Sequence, residues 1–293
     1  MTTTLAVLQM RCGDDHADNI ARACDMTRQA AKNGAGIVLP PELLERQYFC
    51  KTQRAEFYQY AQKTNDNPAV KAFRELSAQL SVTVAVSFYE LAENVRFNSV
   101  ALVSNGEILS VYRKSHIPDG PGYQEKFYFS PGDGGFVAQQ TPHGKIGAAI
   151  CWDQWFPESA RIMALQNADV LLYPSAIGDE PHLKGEQFDS AEHWQTVMRG
   201  HAAANLTPLA ASNRIGEEAQ NDAFGNEVRM TFYGSSFIAG ARGEILAKAG
   251  RDSEETIAAD FNFPNNARER AEWGVFRDRR PELYLPLTNL EGK

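Results

Sequence analysis

Residues 148–158 read AAICWDQWFPE. Ala148, Ala149 and Ile150 are small or apolar at consecutive positions, as expected at the end of a strand covered on both faces. Pro157 has the fixed φ that suits the first turn of a helix. Cys151 therefore falls on a strand-to-helix junction. Backbone N–H groups and the positive end of a helix gather at such a junction and favour a thiolate or an oxyanion. Taken alone, a cysteine after Ala-Ala-Ile is usually a small core hydrophobe.

The same alternation extends in both directions along the chain. Apolar runs occur at Leu5–Leu8, Gly36–Leu39, Val82–Phe88, Val100–Val103, Gly147–Ile150, Ala168–Tyr173, Leu209–Ala211 and Ser236–Ala239. Helical periodicity separates some of them. In 15–33, Ile20, Cys24, Thr27 and Ala31 keep 3–4 spacing before Gly34. In 189–204, Asp189 and Glu192 form a capping-box-like start, and Trp194, Val197, Met198 and His201 form one stripe. Two near-copies, NGEILS at 105–110 and RGEILA at 242–247, read as hairpin turns entering a strand. Mixed strands, hairpins and helices predict an α/β or α+β layered sandwich, and the hairpins argue against a TIM barrel. With no Pro-, Gly- or Ser-rich linker, residues 1–293 are expected to form a single domain.

Two further segments supply what a cysteine nucleophile requires. Glu42, in IVLPPELL at 37–44, follows a buried strand and two prolines that fix the backbone before it. Lys114, in SVYRKSHIP at 110–118, follows the strand launched by the first hairpin. Each alone is as easily a solvated surface charge. Together with Cys151 they make a base that takes the thiol proton and activates water, a nucleophile, and a fixed cation for a tetrahedral oxyanion. No metal or cofactor is needed for that set. No H-E-x-x-H pattern occurs among the six histidines, so no metal site is expected, and His116 reads as structural. Cys12, Cys24 and Cys50 read as buried or incidental.

In this order, PPELL, YRKSHIP and CWDQWFPE resemble the Glu–Lys–Cys signatures of the nitrilase superfamily of carbon–nitrogen hydrolases. The spacings, 72 residues from Glu42 to Lys114 and 37 from Lys114 to Cys151, fit that family. The resemblance covers essentially the whole chain. It implies a four-layer α-β-β-α sandwich that pairs with a second subunit. It implies Glu42 as general base, Cys151 as nucleophile, and Lys114 with the backbone N–H of Trp152 as oxyanion holders. Glu125, in GPGYQEKFYFSPGD at 120–133, matches a second family glutamate, whose implied role is to hydrogen-bond Lys114 or the substrate.

LLYPSAIGDEPH at 171–182, EHWQTVMRGHAAANLTPLAASNRIG at 192–216 and VFRDRRPELY at 275–284 resemble the branch of that superfamily that acts on N-carbamoylputrescine. Such a substrate, a small cationic carbamoyl amine, has a neutral ureido end and an ammonium four carbons away. It calls for an anionic or π-rich clamp beyond an apolar channel. Glu180 is the expected clamp, with Asp179 the alternative, and Tyr123, Trp152 and Trp155 are expected channel walls. A carbamoyl amino-acid hydrolase would instead need a cation such as Arg199 or Arg214 for a carboxylate. An aliphatic amidase and a catalytically inactive scaffold on the same fold stay open.

Composition narrows the partners. The chain has 293 residues, 29 basic against 37 acidic, and a net charge of −8 with a pI near 5.4. That balance, without a basic tract, argues against nucleic acid. No apolar run approaches the roughly 20 residues of a membrane helix, and MTTTLAVLQM lacks the basic start of a signal peptide. Four cysteines without a C-x-x-C pair fit a reducing compartment, so a cytoplasmic location is expected. A homo-oligomer is also expected, with the tail at about 274–293 at a subunit interface.

Overall fold

Strand β1 (Thr3–Gln9) sets the plan of the molecule, because its side chains serve two different layers. Leu5 and Val7 point into one buried cluster, Ala6 and Leu8 into another. That is the period of a strand buried on both faces. The computed structural model describes residues 2–179 and 190–293 of the chain.

From the N-terminus, β1 is followed by α1 (His16–Lys32), β2 (Ala35–Leu39), α2 (Pro68–Leu80), β3 (Thr83–Ala92), β4 (Val95–Ser104) and β5 (Glu107–Arg113). A two-residue ladder follows, β6 (Asp119–Gly120) with β7 (Tyr123–Gln124). The second half holds β8 (Ala138–Thr141), β9 (Gly144–Ala148), α3 (Pro157–Leu165), β10 (Val170–Pro174), α4 (Ser190–Asn205), β11 (Leu209–Ser212), β12 (Ile215–Asn221), β13 (Glu227–Tyr233), β14 (Phe237–Ala239), β15 (Ile245–Lys248), β16 (Glu255–Phe261) and α5 (Phe263–Trp273).

Two six-stranded sheets result, in the orders β16-β1-β2-β3-β4-β5 and β15-β14-β11-β10-β9-β8. In both, two parallel pairings sit in the middle and antiparallel ones flank them. Each of the eight apolar runs overlaps a strand. The near-copy hairpins NGEILS and RGEILA occupy matching places, entering the outermost strand of each sheet, β5 and β15.

The sheets face each other through Leu5, Val7, Ile37, Leu39 and Leu102 from one and Ile146, Ala148, Val170 and Leu172 from the other. The opposite face of the first sheet packs on α1 and α2, where Phe73, Val70 and Ala23 meet Val38, Val84 and Val103. Helices α3 and α4 cover the second sheet, with Met163, Trp194 and Met198 buried against it. The four layers are therefore α-β-β-α, as the resemblance implies. Each fully buried side chain of this size is worth about 1.5–3 kcal/mol of hydrophobic stabilisation.

Local signals explain the helix ends. Asp15 caps α1 by accepting from Ala17 N and Asp18 N, and Gly34 at φ +96° ends it. Asn67 caps α2 through Val70 N, with Pro68 in the first turn. Among the described residues, no helix is long and apolar enough to cross a membrane.

Strands β1, β2, β3 and β5 of the first sheet run the same way, so the loops leaving β2 and β5 emerge at one end. In the second sheet β9, β10 and β11 are likewise co-directional. An isolated parallel bridge between Met10 and Arg214 ties the two sheets together at the carboxyl ends of β1 and β11. The chemistry-bearing loops leave these strand ends, where open α/β sheets place their sites.

Candidate active site

Glu42 lies three residues beyond β2, after Pro40 and Pro41. Its loop is stitched to both sheets. Ser212 Oγ donates to Pro40 O at 2.7 Å, Glu42 N donates to Ser175 O at 3.3 Å, and Leu43 N donates to Ser87 Oγ at 3.1 Å. Arg214 donates from Nη2 to the carbonyls of Glu42 at 2.6 Å and Leu43 at 3.0 Å. The Glu42 carboxylate is fully buried. Its Oε1 accepts from Asn98 Nδ2 at 2.6 Å and Lys114 Nζ at 3.0 Å, and Oε2 has no partner among the described residues.

Lys114 follows β5 and is equally buried. Besides Glu42, its ammonium donates to Glu125 Oε1 at 2.9 Å and Oε2 at 2.7 Å. Burial works against that charge, but Glu125 and Glu42 outweigh it and hold the Lys114 pKa well above the usual lysine value. Glu125 also accepts from the Tyr48 hydroxyl at 2.6 Å. Burial pushes the Glu125 carboxyl up to about 7; Glu42 adds to the rise, and Lys114 and Tyr48 oppose it.

Cys151 opens a 3₁₀ turn, Cys151–Trp155, just after β9. Its φ of +40° is a left-handed conformation that a non-glycine residue adopts only when its surroundings impose it. Asp153 imposes it. This buried carboxylate accepts from Ile150 N at 3.0 Å, from the Tyr112 hydroxyl at 2.7 Å and from His116 N at 2.9 Å, with His116 Nδ1 2.7 Å away. His116 stacks on Phe156 with ring centroids 3.6 Å apart. Gly147 lets β9 approach α3 closely, since a Cβ there would sit 2.8 Å from Met163 Sδ. The thiol makes a long 3.8 Å contact to Ala176 O. Burial raises its pKa well above the usual value; the charges of Glu42 and Glu125 add to this and Lys114 opposes it. Trp152 begins the first turn, where N–H groups lack intrahelical acceptors.

The strand ends thus bring Glu42, Lys114 and Glu125 into direct contact, and their charges reach Cys151. The expected channel residues differ in placement. The Trp152 ring is 37 % exposed and lies 6.2 Å from that of half-buried Trp155, which packs 4.8 Å from His193. Tyr123 is a brace as much as a wall: its hydroxyl accepts from Gly178 N at 2.9 Å and donates to Gly178 O at 3.3 Å. Asp179 is exposed, and its N–H donates to Thr231 O at 2.8 Å. Glu180 lies outside the described residues. Arg214, weighed as a carboxylate receptor, is fully buried and also donates to Arg46 O at 3.1 Å and Glu218 Oε1 at 2.8 Å. Arg199 donates to Gly243 O at 2.7 Å.

Sequence reading missed Asn98, Tyr48 and Asp153. A polar residue inside the apolar stretch of β4 is the signal that would have found Asn98. Asp153 stood within the quoted motif but carried no reactive chemistry of its own.

An α-β-β-α sandwich with a glutamate, a lysine and a cysteine at adjoining strand ends defines the nitrilase-like class of proteins. The chain belongs to the carbon–nitrogen hydrolase family, whose model matches residues 4–268. It is 52 % identical over 290 residues to an N-carbamoylputrescine amidase of Solanum tuberosum, covering 99 % of this chain and 96 % of that one. A citrullinase of Francisella tularensis is 48 % identical over 281 residues, 96 % of either chain. A crystal structure of a carbon–nitrogen hydrolase from Helicobacter pylori superposes with a TM-score of 0.89 at 38 % identity, over 99 % of each chain.

The raised Glu125 pKa gives a stability prediction. The folded protein binds this proton more tightly than the unfolded chain, where the carboxyl titrates near its ordinary 4.5. The contribution of Glu125 to stability is therefore full below that value and declines as pH rises toward about 7. Thermal unfolding of Glu125→Gln, which cannot titrate, should gain on wild type between about pH 5 and about pH 8. Parallel melting curves of the two proteins would refute it.

Proposed function

We propose that the protein hydrolyses N-carbamoylputrescine to putrescine, carbon dioxide and ammonia through a thiol-bound acyl intermediate. The observation that carries the mechanism is the buried Glu42–Lys114–Glu125 cluster whose charges reach the buried thiol of Cys151, with Glu42 Oε2 left without a partner among the described residues. Glu42 takes the thiol proton as Cys151 attacks the carbamoyl carbon. Lys114 and the backbone N–H of Trp152 hold the oxyanion. The intermediate collapses with expulsion of ammonia or the amine, which receives the proton from Glu42. Water, deprotonated by Glu42, then attacks the thiocarbamate left on Cys151; the thiolate departs and takes its proton back from Glu42, and the released carbamic acid breaks its carbon–nitrogen bond to give carbon dioxide and the remaining amine or ammonia.

Chain-length similarity to the Solanum amidase supports the substrate. So does the engagement of Arg214 and Arg199 by backbone carbonyls, since a substrate carboxylate would need such a cation free. Glu180, with Asp179 as alternative, is proposed to receive the distal ammonium. The second reading is citrulline hydrolysis, favoured by the 48 % identical citrullinase. Citrulline carries the same ureido group on a chain that ends in both an ammonium and a carboxylate.

We also propose that residues 1–293 act as one domain whose tail meets a second copy. Leu285 and Leu287 are 68 % and 69 % exposed, and the tail lies along a groove formed with Arg161, Ile162 and Leu165 of α3. Contiguous exposed apolar surface of this kind marks an interface.

Three outcomes check these readings. Cys151→Ala should lower turnover at least about a thousandfold while keeping its circular dichroism spectrum; wild-type-like activity would remove the nucleophile. Ammonia release should favour N-carbamoylputrescine over citrulline, N-carbamoyl-β-alanine and a short amide by about tenfold or more in kcat/KM, with Glu180→Gln raising KM for the cationic substrate alone. Citrulline turned over equally fast would install the second reading. The pair Leu285→Asp and Leu287→Asp should shift size-exclusion elution to a smaller species, and an unchanged profile would clear the tail of that role.

A further inference from the structure

Lys114 touches two carboxylates, and each of them has one further neutral donor: Tyr48 for Glu125 and Asn98 for Glu42. Asn98 does more than fill a hydrogen bond. It lies on β4, fully buried, opposite Tyr89 of β3. Its side-chain Nδ2 donates to Glu42 Oε1 at 2.6 Å, and its backbone carbonyl accepts from Lys114 N at 2.8 Å. The β4–β5 ladder ends at the Ser99–Arg113 pair, so this bond is the last tie on the strand before Lys114 leaves it. One residue thus fixes the side chain of one charged group and the backbone of the other.

We propose that Asn98 is a positioning residue that decides which oxygen of Glu42 receives the Cys151 proton. This rests on the reading of Glu42 as the base. Oε1 accepts two short bonds, one of them from an ammonium, and its lone pairs are committed. Oε2 is buried and bears no bond, so it is the oxygen with basicity to spare. Without Nδ2 the carboxylate is free to turn about its terminal torsion, which is broad for a glutamate. The orientation of the amide is dictated by its neighbour, because the reverse would set Oδ1 against a carboxylate oxygen. Oδ1 itself is buried without a donor. A residue serving packing alone at this depth would be apolar or fully bonded. Asn98 accepts an unsatisfied oxygen in order to present its amide to Glu42.

The groups that surround Glu42 are few. Lys114 leaves β5, Cys151 follows β9, Glu125 follows β7, Arg214 follows β11, and Tyr48 and Cys50 belong to the segment after Glu42 itself. Among the described residues, Lys114 and Asn98 donate hydrogen bonds to the Glu42 carboxylate, and Asn98 is the neutral one of the two.

Alkylation of Cys151 by iodoacetamide across a pH series tests the proposal without any substrate. Wild type, Asn98→Ala, Asn98→Asp and Glu42→Gln are compared, with kcat and KM measured alongside. In Asn98→Ala the alkylation rate at neutral pH should fall about 10- to 100-fold, kcat should fall by a similar factor, and KM should stay within about threefold. Its acid limb should move to higher pH, because a carboxylate that loses a donor holds its proton more tightly. Asn98→Asp keeps the size of the residue but replaces the donor with an acceptor; it should lose at least as much and is decisive if the alanine variant does not fold. Wild-type rate and limb in these variants, with only the melting temperature lowered, would reduce Asn98 to a structural residue and overturn the proposal. If Glu42→Gln alkylates like wild type, the base assignment falls with it. A slow Glu42→Gln beside unaffected Asn98 variants sinks the present inference alone.

Discussion

A lysine ammonium with no access to water, held between two carboxylates, is the constraint around which the molecule is arranged. An unpaired charge at that depth costs several kcal/mol, so neither Lys114 nor its partners can be removed singly without a large penalty. The cluster carries one positive and up to two negative charges. Asn98 and Tyr48 supply the neutral donors that let the excess anion stay buried. Their positions are fixed in turn by strand β4 and by the buried trio of Lys51, Glu218 and Arg214 behind Tyr48. Arg214 extends this lattice to the backbone of Glu42 and, through the Met10 bridge, to the first strand.

The thiol belongs to a second lattice with a different cause. Asp153, not the cluster, sets the turn on which Cys151 stands, and it does so through neutral donors and His116. The base and its lysine hang from one sheet and the nucleophile from the other. The distance between them is therefore governed by how the two sheets pack, through side chains such as Val7, Leu39, Ala148 and Leu172. Dense packing at that interface is rigid on the scale of an ångström, which is the tolerance that proton transfer demands.

Much of this was legible in the sequence because burial on both faces leaves continuous apolar runs. Those runs marked the central strands, and the loops leaving them carried Glu42 and Cys151, while the first hairpin marked the edge strand that leads to Lys114. What escaped was governed by other physics. Strand β16 lies at a sheet edge, and its alternating half-exposed residues break the continuous pattern. Hairpin β12–β13 forms a two-stranded sheet of its own and is mostly polar. Helix α2 went unread, although Asn67 and Pro68 open it and Ala69, Val70, Phe73 and Leu76 bury one face. Asn98 and Tyr48 act through partners 56 and 77 residues away, and no local pattern encodes such pairs. Tyr123 shows the converse: its motif named it as a channel wall, and its hydroxyl holds the loop at Gly178.

The pairing of β1 with β16 has a consequence for how the chain reaches this state. Thr3 lies opposite Phe261, so the first sheet closes with a strand made almost last. The second sheet has no such delay, since its corresponding edge, β8, immediately precedes β9. A ribosome emitting this chain releases β1 long before its outer neighbour exists, and Leu5 to Leu8 must wait with one flank open. Closure across so many residues is slow and leaves an unpaired edge exposed in the meantime. The half of the protein that holds the general base is begun first and completed last.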